Sequence, residues 1–275
     1  METPSYFAFR ETTNLRPVGE CVYCGAKDAL SDEHIVPFAL GGNIILPDAS
    51  CPRCAKITGA LEQRVLRGFM YRARTTGRFP TRRPRERPTT HVVTLLRGDQ
   101  PIQTEVPADQ EPGFLLLPLL APPQFFSGAS TTTGIVVSGI ETLYFGVNPD
   151  EFMKSRGASG LRQTDNLDVT SFARMIAKIG YCYICARLGI PPRAEVPVLP
   201  FILGTRDDGG QWVGSVNYAT QAERDGANIA LAHTTYQSHA EPHVVVLVAR
   251  VKLFAKAGAT GYEVVIHHEP VPEIT

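Results

Sequence analysis

Six residues between positions 21 and 54 carry the groups best suited to chemistry. Cys21 and Cys24 form one C-x2-C hook, Cys51 and Cys54 form a second, and 26 residues separate them. Two such hooks curl around one tetrahedral ion and fill all its positions, so the expected role is structural zinc that contributes folding energy. Four free thiols, or two reducible bridges, are the alternatives that the paired spacing argues against. A plain ribbon uses a spacer of about 15–20 residues, so the longer one here carries an insert. That insert contains DEHIVPFALGGN, residues 32–43, in which Glu33 and His34 are neighbours. A carboxylate there can hold a divalent cation while the imidazole activates a nucleophile, the pairing that phosphodiester hydrolysis uses. A lone histidine in a turn reads as structural; Glu33 and the flanking hooks reverse that reading.

These groups need elements to hold them. DEHIV runs into Pro37, LGG supplies a turn with positive φ accessible, and NIIL returns, which predicts a short hairpin leading into a helix headed by the second hook. Over residues 55–71, Ile57, Leu61, Val65 and Phe69 recur every four residues and give that helix one apolar stripe. Between Arg64 and Pro88 follow nine arginines, at 64, 67, 72, 74, 78, 82, 83, 85 and 87, against the single acid Glu86. Such a stripe suits a phosphate backbone, which rewards charge without sequence reading; the competing reading is a solvated surface.

CVYCG, then DEHIVPFALGGN, then SCPRCAKIT, in that order, resembles the HNH endonuclease superfamily in its zinc-binding, treble-clef form with a ββα-metal site, over about residues 20–70. The resemblance implies Glu33 as ligand of a catalytic divalent cation, Mg²⁺ or another, His34 as general base, and Asn43 as the residue that braces the hairpin. It also implies a second metal ligand directly after the last cysteine, where this chain has Ala55. Asp32, Asp48 or Lys56 are the nearby groups that could compensate.

The remainder is read from pattern. The stretch from 91 to 126 is expected to be a proline-interrupted connector, 134–147 paired strands, and LDVTSFARMIAKIGYCYICARLGIPP one long buried helix. EVPVLPFIL, QWVGSVNY, NIALAHTTY, HVVVLVARVKLFA and GYEVVIHH are the strand candidates packed over it. The expected fold class is therefore α+β: residues 1–90 form an HNH-type zinc-stapled ββα unit with an Arg-rich extension. Residues 91–275 form an α+β domain with one long core helix and a mostly antiparallel sheet. Cys182 and Cys185 fall on one face of the helix as buried thiols; His233, His239 and His243, and the adjacent His267 and His268, make poor chelates.

Lysine plus arginine and aspartate plus glutamate both number 27, so net charge points to no partner and only its distribution does. METPSYFAFRETT lacks the basic start and apolar core of a secretory signal, and no apolar run is long enough to span a membrane, so a cytoplasmic protein is expected. Three functions fit: a metal-dependent nuclease with His34 as base, a catalytically degenerate nucleic-acid-binding module, or an interaction protein that zinc merely staples. Nucleic acid, DNA in preference to RNA, is the expected partner, with no membrane and with protein partners left open.

Overall fold

The computed structural model describes residues 12–128, 133–162, 166–220, 227–237 and 244–270. Strands β1 (Thr13–Asn14), β2 (Ser31–His34) and β3 (Ile44–Ser50) form a sheet in the order β1-β3-β2. The β2/β3 pair is the expected hairpin, with Glu33 opposite Leu46 and His34 opposite Ile45. Its connection is tight: Pro37 precedes a short 3₁₀ turn, Gly41 takes φ of 86°, and a Cβ on Gly42 would lie 2.0 Å from the Val36 carbonyl oxygen. Only glycine satisfies both positions. Helix α1 (Pro52–Arg67) starts at the second hook, with Cys51 as N-cap and Pro52 in its first turn, where the missing N–H costs nothing. Leu61, Val65 and Phe69 are buried as the stripe requires, although Phe69 lies beyond the helix end and just before α2 (Tyr71–Thr76).

The expected connector contains three strands. β4 (Thr90–Arg97) and β5 (Gln100–Pro107) form an antiparallel hairpin, and β6 (Pro112–Leu120) pairs with β7 (Val137–Gly146). Pro118 is tolerated because β6 belongs to a two-stranded sheet, whose strands are edges. Thus 134–147 supplies one strand rather than a pair. After α3 (Pro149–Ser155), β8 (Gly160–Arg162) adds to the open side of β4.

Helix α4 (Val169–Leu188) is the predicted long core helix. Asp168 caps it by accepting the Ser171 N–H at 2.9 Å, and it ends at Gly189. Gly180 lets the sheet approach, since a Cβ there would sit 3.1 Å from the Ala249 Cβ and 3.2 Å from a Val264 methyl. EVPVLPFIL, expected as a strand, instead yields α5 (Leu199–Leu203) with Pro200 in its first turn, because a short apolar run has no periodicity to distinguish the two. Helix α6 (Gly209–Trp212) leads into β9 (Val213–Val216). With β10 (Ile229–Gln237), β11 (Val244–Leu253) and β12 (Gly261–Pro270) it forms an antiparallel sheet ordered β10-β11-β12-β9. The fold is thus α+β with several antiparallel sheets, and among the described residues no helix is long and apolar enough to cross a membrane.

The largest apolar core does not stop at residue 90. It joins Tyr23, Ile35, Leu40, Val65 and Phe69 to Phe172, Ile176, Tyr181, Val251 and Tyr262, with the Phe69 and Phe172 rings 6.0 Å apart. Helix α4 is therefore the common wall of the hairpin unit and the four-stranded sheet.

Candidate metal centre and active-site cleft

The sulfur atoms of Cys21, Cys24, Cys51 and Cys54 all lie within 4.8 Å of one another, and those of Cys24 and Cys51 are 3.6 Å apart. A tetrahedral zinc with sulfur at about 2.3 Å sets its ligands roughly 3.8 Å apart, so the four thiols fit such an ion. The first pair sits on a knuckle closed by Gly25 N–H donating to the Cys21 carbonyl at 2.8 Å, with Gly25 at φ 80°. The second pair sits on the first turn of α1, where unpaired N–H groups favour thiolates. Burial pushes the Cys21 and Cys54 thiols up. In Cys51 desolvation is outweighed by a backbone hydrogen bond from Cys54 and by the neighbouring thiols, and the pKa falls to about 7. Three of the four cysteines are buried, as a closed structural site requires. Among the described residues no other His, Cys or carboxylate group has this geometry.

Later parts of the chain grip the knuckle. Arg193 donates to the carbonyls of Cys21 and Val22 at 2.9 and 3.1 Å, and the Tyr181 hydroxyl donates to Val22 at 2.6 Å. Tyr23 Oη and Cys182 Sγ are 3.3 Å apart inside the core. Burial pushes the Cys185 thiol up to about 12 and raises Cys182 as well, so neither is a reactive thiolate, as the helical spacing predicts. His267 and His268 diverge, one towards Glu195 and one onto the Phe125 ring, and His233 meets the Tyr183 hydroxyl. His239 and His243 lie outside the described residues.

Between β2, α1 and the segment after α2 lies an open cleft of about 350 Å³. Asp32, Glu33 and His34 line it from the strand, Ala55, Thr58 and Glu62 from the helix, and Arg74 and Arg82 from the far wall. His34 is half-buried, edge-on to Phe38, whose ring in turn lies 5.9 Å from the Arg82 guanidinium. Burial lowers the His34 pKa below its ordinary 6.5, and the cations of Arg82 and Lys178 lower it further against the opposing pull of Glu33 and Asp32. The shift favours the neutral imidazole, the form that can accept a proton.

Glu33 faces the interior. Its Oε1 lies 2.6 Å from Lys178 Nζ, and Glu62 Oε1 lies 3.0 Å from the same nitrogen. Lys178 is fully buried on α4 and also donates to the main-chain carbonyl of His34, with the Ile35 carbonyl at 3.4 Å. Burial by itself favours a neutral amine, but Glu33 and Glu62 outweigh it and raise the Lys178 pKa above its ordinary value. The carboxylate that the resemblance assigns to a cation is thus already on an ammonium. Ala55 offers a methyl, and the Thr58 hydroxyl is turned back onto the Cys54 carbonyl at 3.2 Å. Of the three groups that could compensate, Asp32 lines the cleft and is exposed while Asp48 and Lys56 do not line it, and Asn43 stands outside with its carbonyl accepting the Thr13 N–H at 2.7 Å. The residues present do not fit a catalytic Mg²⁺ at Glu33.

Glu62 and Lys178 were not legible as site residues. Glu62 lies seven positions past Ala55, about two helical turns, so both reach one face. Lys178 had one signal, a lysine on a helix apolar around most of its circumference, since a buried lysine needs anionic partners.

The arginines divide into two sets. Arg72 pairs with the buried Glu111 at 2.8 Å and donates to the Val92 carbonyl. Arg74 donates to the carbonyls of Ala39 and Leu66 at 3.0 and 2.7 Å, and burial, with Arg87 and Arg67 nearby, lowers its pKa to about 10. Arg87 donates to Phe79 O at 2.6 Å. These three hold the fold. Arg64, Arg67, Arg78, Arg82 and Arg85 are exposed, as is Arg83, which meets Glu86 at 3.3 Å.

The class these features define is an α+β protein with a four-cysteine cluster suited to zinc. Comparison with protein-family models, with curated proteins and with solved structures returned no match to this chain.

Proposed function

We propose that this chain is an HNH-type phosphodiester hydrolase acting on nucleic acid in the cleft between β2 and α1, with Cys21, Cys24, Cys51 and Cys54 holding a structural zinc. The observation that carries this reading is His34 lining an open cleft together with exposed Arg82, on a hairpin clamped between the two cysteine hooks. His34 takes a proton from the attacking water as the water oxygen bonds to phosphorus, the bond from phosphorus to the leaving oxygen breaks, and that oxygen departs with a proton from solvent. Arg82, together with Arg78 and Arg85 on the same segment, places the phosphate backbone and offsets its charge. A closed four-thiolate zinc has no open position and takes no part in the chemistry; it fixes the hairpin against the helix.

A second reading is favoured by Ala55 and by the engagement of Glu33 with Lys178: the same surface binds nucleic acid without cutting it. Cleavage of plasmid DNA and of RNA by the zinc-loaded protein, with and without added divalent cation, separates the two. The first reading expects cleavage that His34→Ala slows strongly at unchanged zinc content; the second expects salt-dependent binding alone.

A further inference from the structure

Four oxygens surround the Lys178 ammonium: Glu33 Oε1 at 2.6 Å, Glu62 Oε1 at 3.0 Å, and the main-chain carbonyls of His34 and Ile35. All four belong to the hairpin strand, the residue after it, and α1, the elements between which a ββα site holds its metal. The nitrogen comes from α4, far along the chain. We propose that Lys178 is the resident cation of this site, occupying the carboxylates of Glu33 and Glu62 and excluding a divalent ion from the cleft.

The physical case rests on charge and donor count. An ammonium has three N–H donors and no lone pair, so oxygens alone satisfy it, and a hydrated divalent ion seeks the same hard oxygen ligands. The ammonium offsets one negative charge of the Glu33 and Glu62 pair, and a second cation beside Nζ meets direct repulsion. Displacing the lysine leaves a fully buried charge without partners, which is the costlier state. The contact with the His34 carbonyl adds a positioning role, because the residue that neutralises Glu33 also fixes the backbone of the proposed base. The expectation of a cation rests on the HNH reading; the ion group itself does not.

Binding of Mn²⁺ to the zinc-loaded full chain, followed by the electron paramagnetic resonance of the free ion, tests this apart from any cleavage. Wild type is expected to bind none beyond weak surface association, and Glu33→Gln to behave the same. Lys178→Met is expected to gain one Mn²⁺ site, which the Lys178→Met/Glu33→Gln double variant loses. A wild-type site abolished by Glu33→Gln overturns the proposal, as does a folded Lys178→Met that gains nothing. Should Lys178→Met not fold, side-chain NMR of wild-type Lys178 decides. A slowly exchanging ammonium signal unmoved by Mg²⁺ supports the proposal, and a signal shifted or exposed to exchange by Mg²⁺ overturns it. Failure to cut nucleic acid leaves these outcomes standing and counts only against the hydrolase reading.

Discussion

His34 combines a strand end, a cationic neighbour and partial burial, and each has a measurable consequence. Because its folded pKa lies below the ordinary 6.5, the unfolded chain binds the extra proton first as pH falls. This residue's share of stability is therefore full above pH 6.5 and lost as pH drops from there through the lowered folded value. Under the proposed function cleavage is expected to follow the same group, with a rate flat at neutral pH and an acid limb whose midpoint lies below 6.5, which Arg82→Ala is expected to move upward. A pH–rate profile of the two proteins checks it; an unshifted midpoint would remove Arg82 from the cleft electrostatics. The cysteines give a second expectation at this scale. Cys51→Ser is predicted to lower bound zinc towards zero and to lower the thermal midpoint, read by metal analysis and melting, because zinc binding and folding share one free energy. Their role could be read from spacing alone, since C-x2-C is a local pattern. The partners of Glu33 could not, because Lys178 is 145 positions away in sequence.

The hairpin and the α2 segment each lean on a contact that local pattern only partly reveals. Gly42→Ala drives a methyl into the Val36 carbonyl, a contact with backbone that cannot yield, and is expected to destabilise by about 3 kcal/mol in denaturant unfolding. A loss within a few tenths would mean that the turn is free to rearrange. α2 is tied to β4 through Glu111, which is 2 % exposed and receives Arg72 at 2.8 Å and His91 Nδ1 at 2.5 Å. Glu111→Ala removes the acceptor of buried His91 Nδ1 and one of the two acceptors of Arg72, and is predicted to cost about 3 kcal/mol by the same measurement. Element existence was largely readable: the hairpin, α1, α4 and strands β10 to β12 follow from periodicity and from glycine and proline punctuation. The misread elements have a common cause. In EPGFLLLPLLAPPQFF and EVPVLPFIL the prolines and unbroken apolar runs leave no period, so tertiary pairing chose β6 in one and packing chose α5 in the other.

At the scale of the molecule, α4 joins what the motifs and patterning suggested were two units. It packs Phe172 against the hairpin core, places Tyr181 on the knuckle and delivers Lys178 beneath the cleft, so the proposed site is complete only in the full chain. The Arg-rich stripe is likewise divided by the fold: counting arginines predicted one surface of nine, and three of them are used internally. Nucleic-acid binding is therefore expected to follow the exposed set. The Arg82→Ala/Arg83→Ala double variant should weaken binding and reduce the dependence of log affinity on log salt by about 1–2, while Arg72→Ala should act through stability. The central claim, that His34 is the base of a phosphodiester-cleaving cleft, is tested most directly by comparing cleavage of DNA and RNA by wild type and His34→Ala at equal zinc content. The account predicts that wild type cuts at least one of the two and that the variant is slower by about 10²–10⁴-fold; cleavage unchanged in His34→Ala, or absent from wild type on both substrates, would contradict it.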